Sequence, residues 1–277
     1  MRRSSRIDVA TTRIANRRAF VALTLAVAAL VGCATADAPF AAPADVRAAL
    51  APTGTLRIAV YSGSPTSLVR RALTAHGLSV DLGREMARRL GVPAGLIEFE
   101  RVEQVVAALH AGQADMTITN ATPARAALID FTEPLVQLEL GILVPGGSPI
   151  ASIDEVDRPG VRVGVSQGSS SQAALGRAYR NATLVPAPSL QAASAMLAEG
   201  RVDAFATNKG ILYQLGDGLP GARVLDGRWG TESLAIGVPQ GRQAARPWLA
   251  QLVASLRDGG DVQRAAERAG LRGIASR

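Results

Sequence analysis

The sequence predicts an α/β protein of two related, doubly wound lobes, joined by two crossover segments and facing each other across a cleft. Three observations predict it. Short apolar runs alternate with amphipathic stretches of helical period, the alternation occurs twice, and one helix–strand unit of the first half lies over one of the second. Strand–helix–strand alternation closes into parallel sheets with helices on their faces. The 277 residues suffice for two modest domains or one large one, and 48% apolar with 19% charged residues is ordinary for a globular chain.

The amino-terminal segment stands apart from this pattern. Arg2, Arg3, Arg6, Arg13, Arg17 and Arg18 precede an apolar run from Ala19 to Val31. That run is shorter than the roughly 20 residues a transmembrane helix needs. It ends in "LVGC", which resembles the lipobox of bacterial lipoproteins and makes Cys33, the single cysteine, a lipidation site. Residues 1–32 are therefore expected to be a lipoprotein signal peptide, and 33–53, rich in Ala, Pro and Asp, a tether with little structure. The formal charge of +7 belongs mostly to this segment. Without residues 1–32 the chain has 24 basic and 22 acidic residues, so its charge gives no reason to expect a nucleic-acid partner.

From Gly54 the elements follow in order. "LRIAV" (56–60) is a buried strand, bounded by Gly54 and "SGSP". In "SVDLGREMARRLGV", Val80, Leu82, Met86 and Leu90 recur near helical spacing, and Gly91 and Pro93 end the helix. "IEFE" (97–100) is a strand, "VEQVVAALHAG" a helix stopped at Gly112, and "ADMTI" (114–118) a strand. The second half repeats the series. "VRVGV" (161–165), "ATLVP" and "VDAFAT" are strands, while "SSSQAALGRAY" and "SLQAASAMLAEG" are helices, the first opened by serines suited to capping. "AALHAGQADMTITN" (107–120) lies over "AMLAEGRVDAFATN" (195–208), matching Gly, Asp and Asn at the same offsets. Asp115 thereby corresponds to Asp203, and Asn120 to Asn208.

Two strand-like segments, 140–149 and 231–241, cross between the halves. The expected division is 54–145 plus 234–277 for lobe 1 and 146–233 for lobe 2. Paired short crossovers permit hinge closure. The final helices, "AARPWLAQLVASLRDGG" and "DVQRAAERAG", then return to lobe 1, with Asp261 as N-cap and Gly270 as stop.

Ligands of open parallel sheets gather beyond the carboxyl ends of the strands, where Asn120 and Asn208 both fall. Arg125 follows the start signals Asn120, Thr122 and Pro123. A guanidinium fork beside exposed helix N–H groups suits a carboxylate. A surface ion pair with Asp130 or Glu133 is equally open on position alone. "SQGSSSQ" (166–172) offers the same chemistry from the other half, with hydroxyls at Ser169 and Ser170.

The motifs in order resemble the bacterial extracellular solute-binding proteins of family 3, the type II periplasmic binding fold of polar amino acid ABC transporters. They are "SVDLGREMARRLGV", "AALHAGQAD", "TPARAALIDFTEPL", "RVGVSQGSSSQ" and "GRVDAFATN". The resemblance implies that Arg125 clamps an α-carboxylate, with Asn120, Thr122, Ser169 and Ser170 beside it. Asn208 stands where the family usually has an ammonium-binding aspartate, and Lys209 adds a positive charge next to it. Ser64 and Val102 replace the usual sandwiching aromatics, and Tyr61 is positioned to substitute for one. These departures favour a carboxylate-bearing solute and leave its ammonium open.

The role implied is the substrate-binding component of an ABC importer. No cofactor or metal is called for: the two histidines, His76 and His110, form no metal pair. The expected partners are a small carboxylate or amino acid, an inner-membrane ABC permease, and the membrane through the lipid on Cys33. A periplasmic, lipid-anchored monomer is expected. Two alternatives remain. One is an enzyme resembling cyclohexadienyl dehydratases, with Glu133 or Glu232 as acid. The other is a ligand-sensor domain. Trp229, near the second crossover, is expected to line the cleft, and Trp248 to pack.

Overall fold

The computed structural model describes residues 41–71 and 73–275; the expected signal segment and Cys33 lie outside them. The tether expected through Thr53 is corrected at its distal end. Helix α1 (Ala44–Leu50) forms there, because Val46 and Leu50 are apolar at i, i+4 and both are buried. The Arg242 guanidinium donates to the Ala49 carbonyl and holds the end of α1.

Strand β1 (Leu56–Tyr61) buries Leu56, Ile58, Ala59 and Val60, as a parallel strand covered on both faces requires. A short hairpin that the sequence pattern did not reveal follows, β2 (Val69–Arg71) and β3 (Thr74–His76). Helix α2 (Leu78–Leu90) packs on β1, buries Leu78, Leu82, Met86 and Leu90, and ends at Gly91 in the left-handed region, φ 68°. Gly83 is required by the approach of helix to strand: a Cβ there would lie 2.8 Å from Ile58 Cδ1. Strand β4 (Ala94–Phe99) pairs parallel with β1, and helix α3 (Val102–His110) covers it with Val105, Val106 and Leu109. The third strand starts later than expected, as β5 (Thr117–Asn120).

The first crossover strand starts earlier and is longer than the sequence reading placed it, while the second falls close to its expected place. After the one-turn helix α4 (Pro123–Ala126), strand β6 spans Ile129–Val144, and its later partner β11 spans Gly230–Pro239. At about 3.3 Å per residue β6 reaches roughly 50 Å, enough to serve both lobes. Its register with β11 shifts around Ala235, which faces Pro134; a proline has no N–H for the ladder, so a bulge forms there.

In the second lobe, β7 (Arg162–Ser166) lies between β8 (Thr183–Ala187) and β9 (Ala204–Asn208), parallel to both. Helices α5 (Ser170–Ala178), α6 (Leu190–Ala198) and α7 (Lys209–Gly216) flank them. Leu143 and Phe205 face one core and Ile142, Ala204 and Ala206 the other, the period-two alternation of a two-faced sheet. The short strand β10 (Arg223–Val224) pairs with β6. The larger sheet runs β5-β11-β6-β9-β7-β8, with β5, β11, β6 and β9 antiparallel in turn, so the purely parallel sheet expected becomes a mixed one.

The Gly and Asp offsets shared by the halves have a physical cause. Asp115 accepts from the backbone N–H, Nε and Nη2 of Arg57, while Nη2 also donates to the Gly112 carbonyl. Asp203 does the same to Arg162, whose Nη2 donates to Gly200. Each clamp ties the first strand of its lobe to the turn before the third.

Helices α8 (Arg246–Asp258) and α9 (Asp261–Ala269) return to the first lobe. Gly260, with φ 71°, is the N-cap and Asp261 the first helical residue, one position from the expectation. Arg89 of α2 donates to Ser255 (2.6 Å) and Asp261 (3.1 Å) and so joins both helices to the first lobe. Beyond Gly270 the tail runs along β6, the Glu139 N–H donating to the Gly273 carbonyl, while Leu271 and Gly273 press on Gly210 and Lys209 of α7. Trp248 is buried in α8. Trp229 lies outside the cleft, contrary to the expectation: its Nε1 donates to the Gly141 carbonyl and its ring covers the second-lobe core.

Candidate functional site

The carboxyl end of β5 and the start of α4 build one wall of the cleft. Thr122 is the N-cap, its Oγ1 accepting from the Arg125 N–H at 3.3 Å, and Pro123 takes the first helical position. This tight turn folds the Arg125 side chain back, so Nη1 donates to Thr119 Oγ1 (2.8 Å) and to the Asn120 carbonyl (3.2 Å). Among the described residues nothing accepts from Nε or Nη2. Burial draws the guanidinium below its ordinary pKa, opposed by the Glu232 carboxylate. The surface ion pair considered for Arg125 is not formed, since Asp130 faces Arg246 at 3.5 Å instead.

The second wall comes from α5, α7 and the strands before them. Ser169 caps α5, accepting from the Gln172 N–H at 3.1 Å, and Gly168 before it has φ 70°. Ser170 Oγ accepts from Asn120 Nδ2 at 3.1 Å, while Asn120 Oδ1 accepts from the Ser233 N–H. That bond crosses from β5 to the second lobe. Gly168 also abuts Glu103 of α3, where an added Cβ would fall 2.6 Å from Glu103 Cβ. The lobes are therefore closed on each other.

Tyr61, Asn120, Arg125, Ser169, Ser170 and Asn208 all line this cleft. Thr122 does not line it and acts through its cap. Thr66 and Thr119 also line the cleft, and Glu232 closes it from β11. The cavity is about 40 Å³, measured as space open to the centre of a water molecule; one water needs roughly 10–15 Å³ on that measure. The room suits the polar head of a small solute rather than a bulky ligand. Tyr61 donates to Ser64 Oγ at 3.3 Å, and burial raises its pKa.

Glu232 is only 7% exposed. Burial pushes its pKa up to about 7, against the pull of Arg125 and of the Asn208 amide, which donates to Oε1 at 2.9 Å. Lys209 does not reach into this pair; its Nζ holds Glu139 at 2.7 Å. Glu133 is exposed and lies outside the cleft. Among the described residues no cluster of three or more His, Cys, Asp or Glu is arranged to hold a metal, and no helix is long and apolar enough to cross a membrane.

A two-lobed α/β fold, hinged on β6 and β11 with a polar cleft between the lobes, defines the type II periplasmic binding class. Within it the chain belongs to the bacterial extracellular solute-binding proteins, family 3, whose sequence model matches residues 56–270. Among solved structures, the solute receptor for L-cysteine of Neisseria gonorrhoeae is similar at 22% identity, covering 83% of this chain and 99% of that one, with a TM-score of 0.73. The ancestral amino acid-binding protein AncCDT-1, a precursor of cyclohexadienyl dehydratase, is similar at 21% identity, covering 80% and 98%, with a TM-score of 0.70. Among curated proteins, the virulence sensor protein BvgS of Bordetella pertussis is 30% identical over 142 residues, 51% of this chain. The chain spans about a tenth of that relative's length, the match covering 11% of it.

Proposed function

We propose that the chain is the substrate-binding component of an ABC importer, taking a small carboxylate-bearing solute, an amino acid by family default, in the interlobe cleft. Arg125 carries this reading: a buried guanidinium, fixed through Nη1, keeps Nε and Nη2 for a planar bidentate acceptor. Asn120, Ser169 and Ser170 join the closed cleft around the solute, Tyr61 covers it, Thr122 sets the turn and Asn208 forms part of the wall. The protein works in the periplasm as a monomer, anchored through lipid on Cys33, and hands its solute to an inner-membrane permease.

The test is calorimetric titration of Arg125→Ala with any amino or organic acid the natural protein binds. Affinity falls at least about a hundredfold, as for a buried hydrogen-bonded charge losing its partner, while the melting temperature stays within a few degrees. Unchanged affinity would reject Arg125 as the clamp. The likeness to a sensor protein supports a second reading, a ligand-sensing module docking on a membrane receptor. Co-purification with a permease rather than with a sensor kinase separates the two. An enzymatic role would rest on the buried Glu232 as acid, and an assay for arogenate or prephenate turnover tests it.

A further inference from the structure

The cleft contains two buried charges that do not bond to each other. Arg125 has donors to spare, as described above. Glu232 has acceptors to spare: Oε1 takes one hydrogen bond from Asn208, and among the described residues no donor reaches Oε2. The orientation of that asparagine is fixed from the other side. Asn208 Oδ1 accepts from the Ile211 N–H at 3.0 Å as the N-cap of α7, so Nδ2 must point at Glu232. The two residues sit diagonally across β6, Asn208 opposite Leu140 and Glu232 opposite Leu138. The nearby ammonium of Lys209 is already held by Glu139. A carboxylate and a guanidinium, each short of partners in one small cavity, are complementary to a molecule carrying both charges.

We propose that Glu232 receives the ammonium of the solute, so that the cleft takes α-amino acids with the carboxylate on Arg125 and the ammonium on Glu232. Asn208 is then a positioning residue, holding Glu232 by its amide while capping α7 with its carbonyl. The counter-charge then sits on crossover strand β11, across β6 from β9, and the asparagine at position 208 no longer argues against an amino acid. This inference rests on the cleft being the solute site.

The test is a titration of the purified protein with a panel of L-α-amino acids and, for each, the 2-hydroxy acid of the same side chain. Natural protein binds an amino acid at least about a hundredfold more tightly than its hydroxy counterpart, and Glu232→Gln reduces that ratio to about threefold or less, the scale of losing a buried charge-assisted hydrogen bond. A natural ratio near one overturns the proposal, and so does a Glu232→Gln variant that keeps the natural ratio; either result leaves solute binding intact. Binding of neither panel overturns this inference together with the reading of the cleft. Glutamine can still accept from Asn208, so the variant is expected to fold. Should it fail to fold, the comparison of amino and hydroxy acids in the natural protein decides alone.

Discussion

Glu232 ties binding to pH at the scale of one residue. Its carboxyl has an ordinary value of 4.5 and is raised to about 7 in the folded protein. Below 4.5 it is protonated in both states; between 4.5 and 7 the folded state holds a proton that the unfolded state releases. Stability contributed by this group is thus full at low pH and lost as pH rises through 7, a difference of about 3 kcal/mol at most. Urea unfolding from pH 4 to 8 is expected to show that decline in natural protein relative to Glu232→Gln, with the variant more stable at pH 8. The groups facing Glu232 are Arg125 from α4 and Tyr61 from β1, with Glu100 and Arg101 further along the cleft wall. A bound ammonium favours the ionised form. At pH 6.5 an α-amino acid therefore releases a proton on binding, seen as a heat that depends on the buffer, and the 2-hydroxy acid does not. The place of Arg125 in the cleft was legible in the sequence, because Thr122 and Pro123 announce a helix start and "TPARAALIDFTEPL" carries a family pattern. The surroundings of Glu232 were not, since its neighbour Asn208 lies on a different strand and only the register of β6 with β9 and β11 brings them together.

The two Arg–Asp clamps allow a prediction at the scale of elements, because the same network sits at two depths. The Asp115 side chain is fully buried and Arg242 joins it at 3.0 Å, whereas the Asp203 side chain is 35% exposed. Asp115→Asn leaves two guanidinium groups short of a buried partner and is expected to cost about 3 kcal/mol. Asp203→Asn, screened by solvent, costs about 1 kcal/mol or less. Chemical denaturation of both variants checks the order; equal losses would mean that depth does not govern the clamps. Helices with strong periodicity, such as α2 and α9, were legible, and glycines 91 and 270 end them in the left-handed conformation as the sequence suggests. The length of β6 was not, since a proline such as Pro134 has no N–H for a ladder, yet the structure absorbs it in a bulge. Helix α1 was hidden because two apolar residues in an Ala-rich stretch become a face only when a surface exists to receive them.

At the scale of the whole molecule, the closed state depends on the close approach of Gly168 to Glu103. Gly168→Ala strains a backbone at φ 70° and places a methyl against the opposite lobe. Affinity for any bound amino acid is expected to fall about tenfold, mainly through faster dissociation, as closure loses roughly 1–2 kcal/mol. Stopped-flow release of the ligand measures it, and an unchanged off-rate would show that the lobes meet elsewhere. The two-lobed arrangement itself was legible because the same series of elements is written twice. That the lobes rest closed was not, since a contact such as Asn120 to Ser170 joins residues from different lobes.

The bonds of Arg89 to Ser255 and Asp261 fix the order in which the molecule can be completed. The parallel trio of β7, β8 and β9 has all its strands once Asn208 has been made. The first lobe, begun earlier, waits for α8 and α9 at the far end of the chain. A nascent chain halted after residue 245 thus carries a finished parallel trio and unsatisfied apolar faces in its first lobe. The first-lobe elements made before β6 are the last to be sheltered, and they depend longest on whatever keeps an emerging polypeptide from aggregating.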